Sequence, residues 1–322
     1  MGQARQAPSA SLGLVLIALA AVAWGTTGSV MTVLAARAAA SPLLVGAARL
    51  WIAALLLLAA MLLTADRSHP RLSQATHGPS RPHGSRYSNL GRCVLMGGCM
   101  AGYQAAYFTA VTLSGIAVTA LVAICSAPLI IAALAPWALG ERLTPRVRVA
   151  LALGVVGTAL LVLAPHGALD LTARLGAGAL LALAAGLAYA LYVVLVKATL
   201  ARMAPLRLTA LTFTVGAVLL TPAVLSSEAP LRQLALGWPW LLYLGGVATA
   251  GAYAIYALGL RHVPASVAGI VTLTEPFTAT FLGVLLFGER LGVTGVLGAL
   301  LLCAALGLVL GPPDAFSGRL AR

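Results

Sequence analysis

The sequence predicts an all-α integral membrane protein: ten transmembrane helices arranged as two inverted five-helix repeats. Three observations lead there. Of the 322 residues, 61% are hydrophobic and only 8% charged, more apolar surface than a soluble core can hide, so lipid must act as part of the solvent. The tetrapeptide Gly140-Glu141-Arg142-Leu143 returns as Gly288-Glu289-Arg290-Leu291, each copy followed by one last apolar stretch, and at the same offset Pro128 falls on Pro276. Each copy holds five apolar spans. An odd number forces the second copy to enter the bilayer upside down.

A ~30 Å hydrocarbon core takes about 20 helical residues per crossing. On that measure the first repeat, residues 1–165, contributes spans at 11–36, 43–64, 93–113, 115–139 and 147–165. The second repeat, residues 166–322, contributes 175–196, 206–225, 238–260, 263–287 and 291–311. The first span follows Arg5 as a secretory signal would, yet its uncharged run from Ala7 to Ala36 is too long for such a leader, so it is read as a retained helix. From Cys93 to Leu139 there is no charged residue at all, enough chain for two crossings, and Ser114-Gly115 is where they part. Continuous rather than alternating apolar runs exclude a transmembrane barrel, and irregular backbone cannot face lipid. Asp66 to Arg92, with Pro70, Gly78, Pro79, Pro82 and Gly84, is the one flexible cytoplasmic loop.

The net charge of +13 invites a nucleic-acid reading, but the basic residues are scattered over loops rather than gathered on a polar domain, so no nucleic-acid partner is expected. They report orientation instead. With the N-terminus inside, fifteen Lys and Arg fall in cytoplasmic segments against only Arg37, Arg174, Arg232 and Arg290 outside, which places both termini in the cytoplasm. Lys197 stands alone against nineteen arginines, a bias of the kind a GC-rich bacterial genome produces.

Several chemistries find no support. Cys93, Cys99, Cys125 and Cys303 lack Cys-x-x-Cys spacing and sit among apolar residues, as small core residues do. His69, His77 and His83 lie in the loop with only Asp66 nearby, so solvated histidines are expected, not a metal site. No phosphate-cradling Gly-x-x-x-x-Gly-Lys-Ser/Thr, His-Glu-x-x-His or Gly-x-Ser-x-Gly occurs, and neither a cofactor nor catalysis is expected.

Trp24-Gly25-Thr26-Thr27, Ala48-Arg49-Leu50, Pro128 with Gly140-Glu141-Arg142-Leu143, and Glu275-Pro276 with Gly288-Glu289-Arg290-Leu291 together resemble the EamA-type transporters of the drug/metabolite transporter superfamily. The match runs over nearly the whole chain. The resemblance implies ten helices in two inverted repeats and secondary export of small metabolites or amino acids. The repeats are not identical, since Ala127 stands where the second has Glu275.

An ionisable side chain in hydrocarbon must face protein or water. Glu275, near the middle of its span, could bind a proton or a cationic cargo group, which makes proton coupling a candidate; equally, it could be a structural carboxyl beside Pro276. Arg49, about seven residues into the second span, suits a cargo carboxylate, or anchors neighbouring helices, or pairs with Glu275. Pro128 and Pro276 are expected to kink equivalent spans and so mark the midplane site. At that depth lie Trp24, Thr26, Thr27, Tyr103, Gln104, Tyr107, Ser126, Tyr189, Tyr192, Tyr253, Tyr256 and Thr274. A single Tyr is commonly a core or interfacial residue, but as a group they fit a weakly polar, aromatic-lined cavity. Gly154, Gly157, Gly295 and Gly298 let helices approach, within the chain or in a homodimer.

The leading reading is therefore a secondary exporter with a small-molecule substrate, working by alternating access as a monomer or homodimer. Its rival is a membrane enzyme or carrier acting on a lipid-linked substrate, which would need polar groups clustered at one membrane face. A sensor is weaker still, with no cytoplasmic domain to signal through.

Overall fold

The computed structural model describes residues 7–66, 84–163, 173–225, 227–288 and 292–311. The described residues are helical with short connections: α1 (Ala7–Gly25), α2 (Thr27–Ala38), α3 (Pro42–Asp66), α4 (Gly84–Leu139), α5 (Pro145–Leu163), α6 (Ala173–Thr199), α7 (Pro205–Leu225), α8 (Pro230–Gly245), a π-helical turn (Gly246–Gly251), α9 (Ala252–Leu260), α10 (Ala265–Val271), α11 (Thr274–Phe287) and α12 (Val293–Leu310). Four of them open on proline, whose fixed φ and missing N–H suit the first helical turn. Nine helices among the described residues are long and apolar enough to cross a membrane. Outward-facing leucines such as Leu62, Leu63, Leu180 and Leu285 are more than half exposed, as a lipid-facing surface requires.

The expected spans map onto these elements with instructive breaks. The third and fourth fuse into α4, bent at Gly115, whose φ of 79° and ψ of 166° no ordinary side chain adopts easily. The bend coincides with the polar break at Ser114-Gly115. Helix α4 already begins at Gly84, so the last part of the loop expected over 66–92 is helix, and residues 67–83, with all three loop histidines, lie outside the described residues. The first span is interrupted at Thr26 and the eighth by the π turn. The ninth splits at Thr272-Leu273, immediately before Glu275 and Pro276. There Thr272 and Thr274 donate to the carbonyls of Gly269 and Val271 at 2.8 Å each, satisfying backbone that the break would leave bare in hydrocarbon. Pro128, by contrast, sits inside helical α4, whose non-helical backbone is at Gly115 instead.

The two halves interlock. Helix α1 packs on α9, α10 and α11, while its repeat partner α6 packs on both arms of α4; α3 pairs with α7 and α5 with α12. This is the exchange pattern of a two-fold repeat. At the centre, Gly269 of α10 lies against Pro128 of α4, a Cβ there coming 3.5 Å from its Cα, so the two proline-bearing spans meet. Gly157 and Gly298 face each other across α5 and α12; these glycines serve contact within the chain.

The two Gly-Glu-Arg-Leu turns begin alike: Gly140 (φ 67°) and Gly288 (φ 68°) both end a helix in the left-handed region. In the first turn the Glu141 carboxylate crosses to the other repeat. It accepts from the N–H of Ala265 at 2.6 Å, the N–H of Ser266 at 3.1 Å and the Ser266 hydroxyl at 2.8 Å. Helix α10 starts after Pro264, whose side chain cannot cap it, so Glu141 satisfies the orphan donors and favours the positive end of the helix. From the opposite side Lys197 donates to the carbonyls of Leu260 and Val263, both at 2.7 Å, and Arg146 donates to those of Leu308 and Gly311. Glu289 to Leu291 lie outside the described residues. Glu141→Ala is expected to lower stability by about 1–2 kcal/mol, the loss of a helix cap, read as a lower unfolding midpoint in detergent; an unchanged midpoint would show that water replaces the carboxylate without cost.

Candidate substrate site

The site is built where α1, α4, α6, α9 and α11 converge. Trp24 is its hub: its ring lies 4.7 Å from Tyr253, 5.3 Å from Tyr256 and 6.3 Å from Tyr189, the last edge-on. Tyr189 continues the wall to Tyr103 at 5.6 Å and Tyr192 at 6.2 Å, and Tyr103 reaches Tyr107 at 5.8 Å. Tyr192 closes back on Tyr253 at 5.9 Å, which also meets Phe213 at 4.8 Å. Such tilted and edge-to-face pairs are the preferred aromatic geometries, each worth about 0.5–1.5 kcal/mol beyond area burial. The pairs Tyr103/Tyr107, Tyr189/Tyr192 and Tyr253/Tyr256, each three or four residues apart on one helix face, form one continuous surface.

Burial divides this wall in two. Trp24, Tyr192, Tyr253 and Tyr256 are buried, whereas Tyr103, Tyr107, Tyr189, Thr27 and Glu275 are only partly so. The closed part adjoins the turn between α9 and α10, where Lys197 holds the end of α9 and Glu141 the start of α10. Several polar atoms here have no hydrogen-bond partner among the described residues: Trp24 Nε1, the Thr27 hydroxyl, and the hydroxyls of Tyr189 and Tyr256, which interact without reaching hydrogen-bond geometry. A buried polar group is costly when unpaired, so these are the places a polar cargo or water would satisfy.

The two charged residues lie at this wall without forming an ion pair. Arg49, only 7% exposed, donates its Nε–H to the Thr249 hydroxyl at 2.9 Å. Glu275 lies within electrostatic range of Arg49 and of Tyr103, Tyr107, Tyr189 and Tyr253. Its segment is pressed against α1, since a Cβ at Gly25 would come 2.6 Å from the Glu275 carbonyl oxygen. A guanidinium and a carboxyl held apart beside an aromatic wall can together receive a zwitterion.

Other candidates stand apart from that wall. Thr26 is engaged, donating to the Ala23 carbonyl at 2.7 Å and bonding the Tyr243 hydroxyl at 2.9 Å. Thr274 turns back to Val271. Ser126 donates to Ala123 at 3.2 Å and packs on Gly186 of α6. Gln104 is buried, one helical turn from Met100, which meets Gly216 of α7, and from Phe108, which covers Gly46 of α3. Conversely, sequence reading missed Thr249, Tyr243 and Phe213. Thr249 carried a signal: it sits four residues before Tyr253, within a stretch bracketed by Gly246 and Gly251.

The fold and this site define a multi-pass helical membrane transporter built from a tandem repeat. The chain belongs to the EamA-like transporter family, whose model matches it twice, over residues 11–163 and 176–311. It is 35% identical to the uncharacterized transporter YwfM of Bacillus subtilis (strain 168) over 300 residues, covering 92% of this chain and 93% of that one. It is also 35% identical to the aromatic amino acid exporter YddG of Ancylobacter novellus, over a shorter stretch of 108 residues, 33% of this chain and 37% of the relative. A solved crystal structure superposes with a TM-score of 0.77 over 96% of this chain and 99% of the other at 20% identity, a likeness of fold.

Proposed function

We propose that the protein is a secondary exporter of small metabolites or amino acids across the bacterial inner membrane, alternating access around the Trp24 site. One observation carries the reading: a buried guanidinium and a carboxyl, Arg49 and Glu275, flank a continuous aromatic wall without pairing. Arg49 would take a cargo carboxylate, Glu275 the ammonium group or a proton, and the tyrosines an apolar or aromatic side chain. The likeness to the Ancylobacter aromatic amino acid exporter supports a cargo with an aromatic side chain. Comparing metabolites released by cells with and without the protein, then measuring radiolabelled L-phenylalanine flux in proteoliposomes, tests it. Export that is the same in both strains, with no flux in liposomes, would sink the reading.

The proposed orientation puts both termini in the cytoplasm, so the end sealed by Glu141, Lys197 and Arg146 faces inward. The partly open side at Tyr103, Tyr107 and Glu275 then faces outward. Single cysteines beside Glu141 and Glu289 in a cysteine-free background are expected to be labelled from opposite sides of the membrane. Labelling from one side would overturn the inverted topology.

A further inference from the structure

We propose that Thr249 is the positioning residue that sets Arg49 for a cargo carboxylate, and that the π-helical turn Gly246–Gly251 is what brings its hydroxyl there. The proposal rests on the reading of Arg49 as the carboxylate site.

Thr249 is fully buried. Its hydroxyl donates its one proton to the Leu244 carbonyl at 2.7 Å, five residues back, the spacing a π turn provides in place of the usual four. With that proton committed, the oxygen can only accept, and it accepts the Nε–H of Arg49 at 2.9 Å. The helices are close enough because position 245 is glycine: a Cβ there would lie 2.5 Å from Ile52 Cβ and 3.2 Å from the Arg49 carbonyl. The wide turn follows directly, and Tyr253 stands one turn beyond Thr249 on the same face. π turns of this kind are frequent at functional sites.

The consequence for Arg49 is geometric. Its Nε bond is the only hydrogen bond of that side chain among the described residues, and its two Nη groups keep accessible surface. Holding the guanidinium at Nε removes the side-on mode of carboxylate binding and leaves the end-on Nη fork for a two-point contact. The charged groups in range of that fork are Glu275 across the wall, with the Tyr253, Tyr103 and Tyr107 hydroxyls around it. Thr249 thus fixes the plane of the fork and never touches the cargo.

The test uses full-length protein in lipid nanodiscs with ¹⁵N-labelled arginine, the Arg49 signals assigned by difference from Arg49→Lys. Phenylacetate serves as an aromatic carboxylate probe, with phenylacetamide as its uncharged control. In the wild type the Arg49 Nε–H should exchange with water about tenfold more slowly than in Thr249→Val, a factor appropriate to a hydrogen bond from a charged donor. Half-saturation by phenylacetate should rise by a similar factor in Thr249→Val and Thr249→Ala, and Thr249→Ser should restore both readouts. Because the serine variant keeps the hydroxyl while losing the methyl group, its recovery separates positioning from packing. Equal exchange and equal phenylacetate affinity in wild type and Thr249→Val would overturn the proposal. No phenylacetate response at Arg49 in any variant would instead overturn the carboxylate reading beneath it.

Discussion

Replacing Glu275 with Gln is expected to reduce transport at least tenfold and to remove its dependence on pH, while the protein still folds and inserts. Of the seven acidic residues, Glu275 is the only one inside a span, and the amide keeps its size and much of its hydrogen-bonding capacity while deleting the titratable group. Its side chain makes no hydrogen bond and no ion pair with any described residue, so the stability cost should stay within about 1 kcal/mol. If Glu275 carries a proton or an ammonium group, wild-type flux varies with pH as the carboxyl titrates and the variant's flux is flat. Ala127→Glu should not rescue the variant, because Ala127 belongs to unbroken helix in the other repeat. Proteoliposomes loaded with L-phenylalanine and assayed across a series of pH values decide it. Equal rates and equal pH profiles would make Glu275 a structural residue and leave Arg49 as the sole charged contact.

The second large effect is structural. Gly298→Val is expected to destabilise the protein by about 3 kcal/mol or more, at the upper end for overpacking. A Cβ at Gly298 would lie 2.6 Å from both the Gly157 oxygen and the Leu161 nitrogen, and one at Gly157 would lie 2.8 Å from the Gly298 oxygen. The obstruction is helix backbone, which cannot swing aside as a flexible side chain does, so α5 and α12 must separate. Gly307→Ala on the same helix meets nothing within 4 Å and should be neutral or stabilising by about 0.5–1 kcal/mol through reduced backbone freedom in the unfolded chain. Thermal unfolding in detergent, with the yield of monodisperse protein, compares the two. A Gly298→Val midpoint matching that of Gly307→Ala would show that the α5–α12 contact is slack.

The sequence by itself determined the helical membrane fold and its two repeats. Those properties depend on local composition and period, because a span long enough to cross hydrocarbon must be a helix and an ionisable group within it must face inward. The Ser114-Gly115 break was equally legible, since only a glycine takes that backbone conformation readily. Tertiary structure decided what each polar group does. It tied Thr26 to Tyr243, turned Ser126 onto Gly186, and assembled the Trp24 wall from helices far apart in the chain. It also gave Glu141 a role that its motif did not reveal, capping α10 of the opposite repeat. Arg49 finds Thr249 two hundred positions away only because Gly245 admits a close helix approach and a π turn then follows. No local pattern encodes a partner whose position depends on how two helices cross.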